Sequence, residues 1–142
     1  MNPEKLIEEA LEARKMAYTP YSNWAVGAAL LARDGSVILG CNIENASYTP
    51  TNCAERTAFF KAVSEGIREF EAIAIVGGVA GEAPKTYCSP CGVCRQVMME
   101  FCNPETFRVY VAISPAEYQE YTLKELLPMG FGPQDLGKPC NA

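Results

Sequence analysis

Two cysteines follow a proline at the predicted start of a helix, in the segment Ser89-Pro90-Cys91-Gly92-Val93-Cys94. Proline suits the first helical position, because its missing N–H would have no acceptor there. Side chains at i and i+3 of a helix share a face, so both thiols can reach one point in space. The pair is therefore half of a metal site, and the fold must bring the remaining ligands from elsewhere.

Cys53 is the candidate for a third ligand, because it too lies in the first turn of a predicted helix. Three thiolates would hold zinc at about 2.3 Å each and leave a fourth position open, which is typical of a catalytic rather than a structural site. Three thiolates on a dication leave a net negative charge. Two helix N-termini and the adjacent Arg56 would offset part of that charge.

Glu55 follows Cys53 by two residues, so its carboxyl would project beside the metal without having to be a ligand. The chain contains no histidine, which removes imidazole both as a zinc ligand and as a general acid–base group. Glu55 is therefore the leading candidate for proton transfer to a substrate. The structural alternative is a capping box: if Asn52 caps the helix, Glu55 occupies the third helical position.

The total of seven cysteines is high and odd. In a reducing compartment such residues are more often buried, metal-bound or catalytic than paired in disulfides. Three are interpreted as small buried apolar residues, namely Cys41, Cys102 and Cys140. Cys88 adjoins the ligand turn and is not expected to be a ligand.

Two alternatives remain for the Cys91/Cys94 pair. A thioredoxin-like dithiol would explain the spacing but would leave Cys53 and Glu55 unexplained. A non-catalytic structural zinc module would use the same ligands, although such sites are normally closed by a fourth residue.

Composition limits the partners of the chain. The net charge is −5 and the pI about 4.8, without a basic cluster, which argues against a nucleic-acid partner. No apolar run approaches the roughly 18 residues needed to span a membrane. Met1–Lys5 opens an amphipathic segment rather than a signal peptide, so we expect a cytoplasmic protein.

The length of 142 residues favours one domain over residues 1–142. The predicted helices are 3–17, about 52–65, 90–101 and a short one after Thr122, and the predicted strands are 24–31, 37–43, 72–76, 107–113 and 118–122. Asp34-Gly35 indicates a hairpin between the first two strands. A strand, helix and strand in succession imply a parallel crossover, so we expect an α/β fold with an antiparallel hairpin joined to parallel strands.

The combination of Cys-x-Glu with Pro-Cys-x-x-Cys is the signature of zinc nucleobase deaminases, with cysteine in place of the commoner histidine. On these motifs the chain resembles cytidine deaminases of the short, homotetrameric class. The resemblance covers nearly the whole chain, from Tyr21-Ser22-Asn23-Trp24 through Asn42-Ile43-Glu44-Asn45-Ala46-Ser47-Tyr48 to Leu126-Leu127-Pro128-Met129-Gly130-Phe131. It implies a three-layer α/β/α sandwich around a mixed sheet, with one zinc ion per subunit held by Cys53, Cys91 and Cys94.

The resemblance also implies the remaining roles in the site. Glu55 would transfer protons, and Arg56 would hydrogen-bond the ligand sulfurs. The positions implied to contact substrate are Trp24, Asn42, Glu44, Ala46, Tyr48, Ala54 and Phe131. Trp24 stands where the family usually has phenylalanine and would pack on the pyrimidine ring.

Asn42 and Glu44 would hydrogen-bond the ribose hydroxyls, to which an amide and a carboxylate are suited; the alternative is turn chemistry at a strand end. Ala46, Tyr48 and Phe131 would reach the site of a neighbouring subunit, so the resemblance implies a homotetramer with shared sites.

The predicted function is zinc-dependent hydrolytic deamination of cytidine and 2′-deoxycytidine to uridine and 2′-deoxyuridine with release of ammonia, in pyrimidine salvage. The predicted partner is a small nucleoside, with no nucleic acid and no membrane. Alternatives are a deaminase acting on a modified cytosine nucleoside or on bases in a nucleic acid, and the structural zinc module.

Overall fold

A computed structural model describes residues 1–139 of the chain. Its elements in chain order are α1 (Pro3–Arg14), β1 (Trp24–Ala32), β2 (Val37–Cys41), α2 (Ala54–Ser64), β3 (Phe70–Val79), α3 (Gly92–Phe101), β4 (Arg108–Ser114), β5 (Glu117–Thr122), α4 (Leu123–Leu126) and a 3-10 helix at Pro133–Leu136. Cys140 lies outside the described residues, so the interpretation of this cysteine stays a prediction.

The five strands form one mixed sheet in the order β2-β1-β3-β4-β5. β3 and β4 are parallel and are connected through α3, whereas the other neighbouring strands are antiparallel. The β1–β2 hairpin turns at Gly35, whose φ of 92° suits a residue without a side chain. The expected combination of an antiparallel hairpin with a parallel pair is therefore confirmed.

Apolar side chains cover both faces of the sheet. On one face, α1 contributes Leu6 and Ile7 to a cluster with Ala74 of β3. On the other face, α2 and α3 contribute Phe59 and Met98 to a larger cluster. Successive side chains of β1 enter the two clusters alternately. The strand is therefore buried on both faces, which explains its nearly continuous apolar sequence. The predicted three-layer α/β/α sandwich is confirmed.

Gly40 of β2 allows α2 to lie directly on the sheet. A Cβ atom at this position would stand 2.3 Å from the carbonyl oxygen of Ala54 and 2.6 Å from the backbone nitrogen of Ala58. The close approach brings the first turn of α2, with its functional side chains, onto the end of the β1–β2 hairpin.

The predicted helix limits were wrong at three places. α1 ends at Arg14 rather than near residue 17, because the chain then turns so that the Tyr18 N–H bonds the Asn42 carbonyl at 3.0 Å. α2 is capped by Cys53 instead of Thr51 or Asn52. α3 begins at Gly92 after a Cys91 cap, so Pro90 precedes the helix and does not occupy its first position.

The C-terminal part follows the prediction closely. Thr122 and Glu125 form the predicted capping box at the start of α4, with hydrogen bonds in both directions. Along residues 1–139, no helix combines the length and the apolar composition that crossing a bilayer would require.

Candidate metal centre and active site

The first turn of α2 is held in place by the hairpin that precedes it. Ile43 and Asn52 form an isolated antiparallel bridge, with hydrogen bonds of 3.0 and 2.9 Å. This bridge sets Cys53, at the N-cap, beside the end of β2. With Cys53 as the cap, Glu55 is the second helical residue, so the Asn52 capping box that was the structural alternative for Glu55 does not form.

The first turn of α3 carries the other two thiols. Sγ of Cys91 accepts a hydrogen bond from the backbone N–H of Cys94 at 3.4 Å, and so takes the capping role that serine or aspartate often fills. Cys91 is exposed and Cys94 is buried. Both sulfurs therefore lie at the N-terminal end of the helix, which is the positive end of the helix dipole.

Cys53, Cys91 and Cys94 bring their sulfur atoms within 4.8 Å of one another. Sγ of Cys91 lies 3.8 Å from Sγ of Cys53 and 3.4 Å from Sγ of Cys94. Tetrahedral zinc with bonds of about 2.3 Å requires sulfur–sulfur distances of about 3.8 Å, so these residues fit zinc. Among residues 1–139, no fourth cysteine or carboxylate joins the cluster.

Arg56 supplies positive charge to the sulfurs. Its Nη2 donates to Sγ of Cys53 at 3.3 Å, and it also hydrogen-bonds Cys94. The pKa of Cys53 is lowered to about 5, mainly by a hydrogen bond from the Cys94 thiol and also by Arg56. Because Cys94 is bonded to that sulfur and desolvated, its own pKa is raised. The cluster thus forms a thiolate readily, as a metal site requires.

Glu55 is 4 % exposed, the one charged residue among the buried side chains of residues 1–139. Burial raises its pKa to about 7, and the negative charge of Cys53 adds to the rise. A carboxyl with a pKa near neutrality suits a group that must both accept and donate a proton. Its neighbour Ala54 is fully buried at the first helical position, where a backbone N–H has no acceptor within the helix.

Asn42 ties the end of β2 to the start of β1. Its Oδ1 accepts from the N–H of Val26 at 2.9 Å, and its Nδ2 donates to the carbonyl of Trp24 at 2.8 Å. The amide keeps one N–H and one lone pair for another partner. Trp24 begins β1 and is 38 % exposed, so its ring lies at a surface rather than in the core.

Glu44 holds the turn before β1. One carboxylate oxygen accepts from the backbone N–H groups of Tyr21 and Ser22 at 3.0 and 3.1 Å, and the other accepts from the Ser22 hydroxyl. The Ser22 hydroxyl is the main cause of a lowered pKa at Glu44. The turn chemistry considered for Asn42 and Glu44 is therefore present in the structure.

Ala46, Tyr48 and Phe131 lie exposed, away from any core cluster. Tyr48 is 72 % exposed, adopts a φ of 64° and meets the ring of Tyr21 edge-on. The Tyr48 side chain also lines an open cavity of about 360 Å³ that contains Glu44 on its wall.

Two residues that support the site received no role from sequence reasoning. Arg95 donates from Nε to the Pro90 carbonyl at 2.8 Å and from Nη1 to the Leu126 carbonyl at 2.6 Å. Gln96 donates to the carbonyl of Phe131 at 2.7 Å. Their position directly after Cys94 was the one signal in the sequence that they could support the site. Their partners, the carbonyls of Leu126 and Phe131, are more than 30 residues away, so the sequence could not identify these contacts.

The other described cysteines differ in how deeply they are buried. Cys88 is half-buried and is not part of the three-sulfur cluster, as expected. Cys102 is buried, as expected, but Cys41 is only half-buried.

Fold and site together define an α/β protein with a cluster of three cysteines that fits zinc, beside a buried glutamate. The family model described as the cytidine and deoxycytidylate deaminase zinc-binding region matches residues 1–111. The chain belongs to this family.

Known relatives agree with this assignment. A cytidine deaminase of Sporosarcina psychrophila is 53 % identical over 136 residues, 96 % of each chain. One from Halalkalibacterium halodurans is 54 % identical over 136 residues, 96 % of this chain and 98 % of the other. The crystal structure of a cytidine deaminase from Burkholderia pseudomallei superimposes with a TM-score of 0.83 at 47 % identity, over 92 % of this chain and 100 % of that one.

Proposed function

We propose that the chain is a cytidine deaminase that converts cytidine and 2′-deoxycytidine, with water, to uridine and 2′-deoxyuridine and ammonia. The observation that carries the proposal is the pairing of three sulfurs at zinc-ligand separations with a buried carboxyl two residues from one of them. The high identity to cytidine deaminases over nearly the whole chain supports it.

In the proposed mechanism, Cys53, Cys91 and Cys94 hold zinc, which when bound supplies Lewis-acid activation of the attacking water. Glu55 accepts a proton from that water and passes protons to the pyrimidine N3 and then to the amine that leaves C4. Arg56 donates to the ligand sulfur and lowers the negative charge around the reacting atoms.

The substrate is proposed to lie between the metal centre and the start of β1. Trp24 offers a ring for stacking on the pyrimidine, and the N–H of Ala54, in the first helical turn, would be available to a polar atom of the base. Asn42 and Glu44 are fixed by their bonds to the β1 turn, and their remaining hydrogen-bonding capacity would hold the ribose hydroxyls. Fixed polar groups lose little conformational entropy on binding.

We further propose that the chain, as a single domain over residues 1–142, assembles as a homotetramer with shared sites. Tyr48, Ala46 and Phe131 are exposed in the single chain and would complete a neighbour's site. A cytoplasmic location is proposed because a reducing compartment keeps the three ligand cysteines as thiols.

Loss of absorbance at the cytidine band tests the proposal. The purified protein with one equivalent of zinc should deaminate cytidine and deoxycytidine, while adenosine and single-stranded DNA should remain unchanged. Activity on the DNA alone would favour the nucleic-acid alternative. Failure with every cytosine nucleoside would overturn the proposed activity.

Subunit sharing has its own test. Light scattering should give four times the chain mass. Mixing the inactive Glu55→Gln protein with a Phe131→Ala protein, followed by reassembly, should restore part of the activity, because some sites would combine an intact Glu55 with an intact Phe131. No recovery from fully mixed tetramers would contradict shared sites.

A further inference from the structure

The segment that ends at Phe131 is bonded to α3, the helix whose first turn belongs to the three-sulfur cluster. Nη1 of Arg95 donates to the Leu126 carbonyl at 2.6 Å. Nε2 of Gln96 donates to the Phe131 carbonyl at 2.7 Å. Two neighbouring side chains, directly after Cys94, therefore hold both ends of this segment on the helix.

Packing against Met99 supports the same placement. Met99 follows Gln96 by three residues and lies on the same face of α3. A Cβ at Gly130 would stand 3.2 Å from Sδ of Met99, and one at Gly132 would stand 2.9 Å from its Cε. The backbone on both sides of Phe131 therefore lies close to the helix, which glycine at these two positions permits.

The side chain of Phe131, in contrast, is 58 % exposed. It stands between two glycines, and glycine restricts the backbone less than any other residue. Because Gln96 holds the carbonyl of Phe131 itself, the bond limits the directions in which the ring can project. Gln96 is exposed and belongs to neither core cluster, so this bond does not serve the packing of the core.

We propose that Gln96 is a positioning residue that sets the direction of the Phe131 ring, and that it thereby acts on the site of the neighbouring subunit rather than on its own. The inference rests on the proposed function, in which Phe131 completes a neighbour's site. The helix α3 then serves two sites. Its first turn brings Cys91 and Cys94 to its own metal centre, and Gln96, less than one turn later, holds the aromatic residue for another.

A comparison of Gln96→Met with Gln96→Lys tests the proposal. Methionine has about the length of glutamine but no hydrogen-bond donor, whereas lysine keeps a donor. Loss of one such bond should raise KM for cytidine by about 2- to 10-fold. The value of kcat should stay within about 2-fold, because the bound substrate and the transition state lose the same contact. Gln96→Lys should stay close to the wild type in KM.

The matched control is Gln119→Met, which removes an exposed glutamine bond on the edge strand β5, where Gln119 accepts from the Tyr121 hydroxyl at 2.7 Å. This variant should leave KM unchanged. The decisive background is Phe131→Ala, which lacks the ring. There, Gln96→Met should cause no further rise in KM. An equal rise of KM in the wild type and in the Phe131→Ala protein would overturn the inference.

Mixed tetramers distinguish an effect on the neighbouring site from an effect on the chain's own metal centre. Glu55→Gln chains are inactive but carry an intact Gln96 and Phe131. After reassembly with Gln96→Met chains, some sites with an intact Glu55 should receive a correctly placed Phe131 from a Glu55→Gln neighbour. Activity per intact Glu55 at low cytidine concentration should therefore rise toward the wild-type value.

The mixture of Glu55→Gln with Phe131→Ala chains is the reference for this experiment. Recovery in that mixture without a rise in the mixture that contains Gln96→Met would overturn the inference and leave shared sites standing. Failure of both mixtures would contradict shared sites, and the inference with them.

Fluorescence separates the contact from the proposed activity. Trp24 is the only tryptophan of the chain, so a protein with Trp24→Phe and Phe131→Trp reports on position 131 alone. Gln96→Met should enlarge the fast component of its anisotropy decay, since side-chain motions of exposed residues fall in the picosecond to nanosecond range. Gln96→Lys and Gln119→Met should not.

An unchanged anisotropy decay in Gln96→Met would overturn the inference. Absence of cytidine deamination in the wild type would overturn the proposed function instead, and the anisotropy comparison would still test whether Gln96 holds Phe131.

Discussion

Nη2 of Arg56 donates to Sγ of Cys53 at 3.3 Å, while the Nε of the same guanidinium is buried without a hydrogen-bond partner among residues 1–139. A buried donor without a partner costs free energy, so the side chain is held there chiefly by its attraction to the sulfurs. The proposed zinc site would carry a net negative charge from three thiolates, and Arg56 is placed to offset it.

Arg56→Gln should weaken zinc binding and lower turnover. Removal of a group that hydrogen-bonds a metal ligand typically costs about 10- to 100-fold in metal affinity or activity. Competition with a zinc-binding dye measures the first effect, and nucleoside absorbance the second. Arg68→Gln, a neutralised arginine on the exposed loop before β3, is the control. Equal zinc affinity and turnover in the two variants would contradict a role of Arg56 in zinc binding.

Glu55→Gln should leave the zinc content near that of the wild type and lower kcat by several orders of magnitude. Glutamine keeps the shape of the side chain but cannot carry a proton between water and the leaving amine. Glu65→Gln changes an exposed glutamate at the end of the same helix and should leave kcat unchanged. Near-normal turnover in Glu55→Gln would contradict the proton-transfer role.

Removal of the metal should abolish activity without unfolding the chain. Both core clusters consist mainly of apolar side chains on the two faces of the sheet, with Phe59, Met98 and Leu6 among their fully buried members. A chelated sample should therefore keep its far-ultraviolet circular dichroism, melt at a lower temperature and recover activity when zinc is returned. Complete unfolding on chelation would support the structural-zinc alternative.

Ser22→Ala should make nucleoside binding more sensitive to acid. The Ser22 hydroxyl is the main cause of the lowered pKa of Glu44, so its loss raises that pKa. Glu44 then becomes protonated at a higher pH, and the rise of KM on the acid side should begin at a higher pH than in the wild type. The control is Ser36→Ala, which removes a comparable serine–carboxylate bond from the hairpin turn at Asp34. If KM depends on pH in the same way in Ser22→Ala and in the wild type, Glu44 does not take part in substrate binding.

Sequence patterns predicted the elements of this fold because each has a local cause. The Asp34-Gly35 turn and the Thr122 capping box depend on side chains within a few residues of one another. The helix starts were misjudged where cysteine replaced the expected cap. Cys53 and Cys91 take the N-cap positions, and intrinsic cap preferences rank serine, threonine, aspartate and asparagine first.

The metal centre was predictable for a different reason, since residue type and spacing restrict which side chains can converge on zinc. The contacts around the metal centre were harder to predict from the sequence. Arg95 reaches the carbonyl of Leu126, and Gln96 reaches the carbonyl of Phe131; both contacts join segments far apart in sequence. Such pairs are set by the packing of the sheet and helices, for which one sequence carries no local signal.

Gly40→Ala should lower both stability and activity, because the added methyl group would meet backbone rather than a flexible side chain. Its Cβ would lie 2.3 Å from the Ala54 carbonyl oxygen and 2.6 Å from the Ala58 nitrogen, so α2 would have to move away from β2. Overpacking of this kind costs about 1–3 kcal/mol in the free energy of unfolding. The same movement would shift Cys53 and Glu55, which the first turn of α2 carries.

The shift of the urea midpoint, at an unchanged m-value, measures the change in the free energy of unfolding of Gly40→Ala. The amount of zinc bound per chain reports the displacement of Cys53. Gly92→Ala is the matched control for stability, since an added Cβ there meets nothing within 4 Å and alanine restricts the unfolded chain more than glycine does, by about 0.4–1 kcal/mol. The two alanines should therefore change the free energy of unfolding in opposite directions. A Gly40→Ala protein as stable as the wild type, with full zinc and turnover, would show that α2 does not depend on the close approach to β2 for its position.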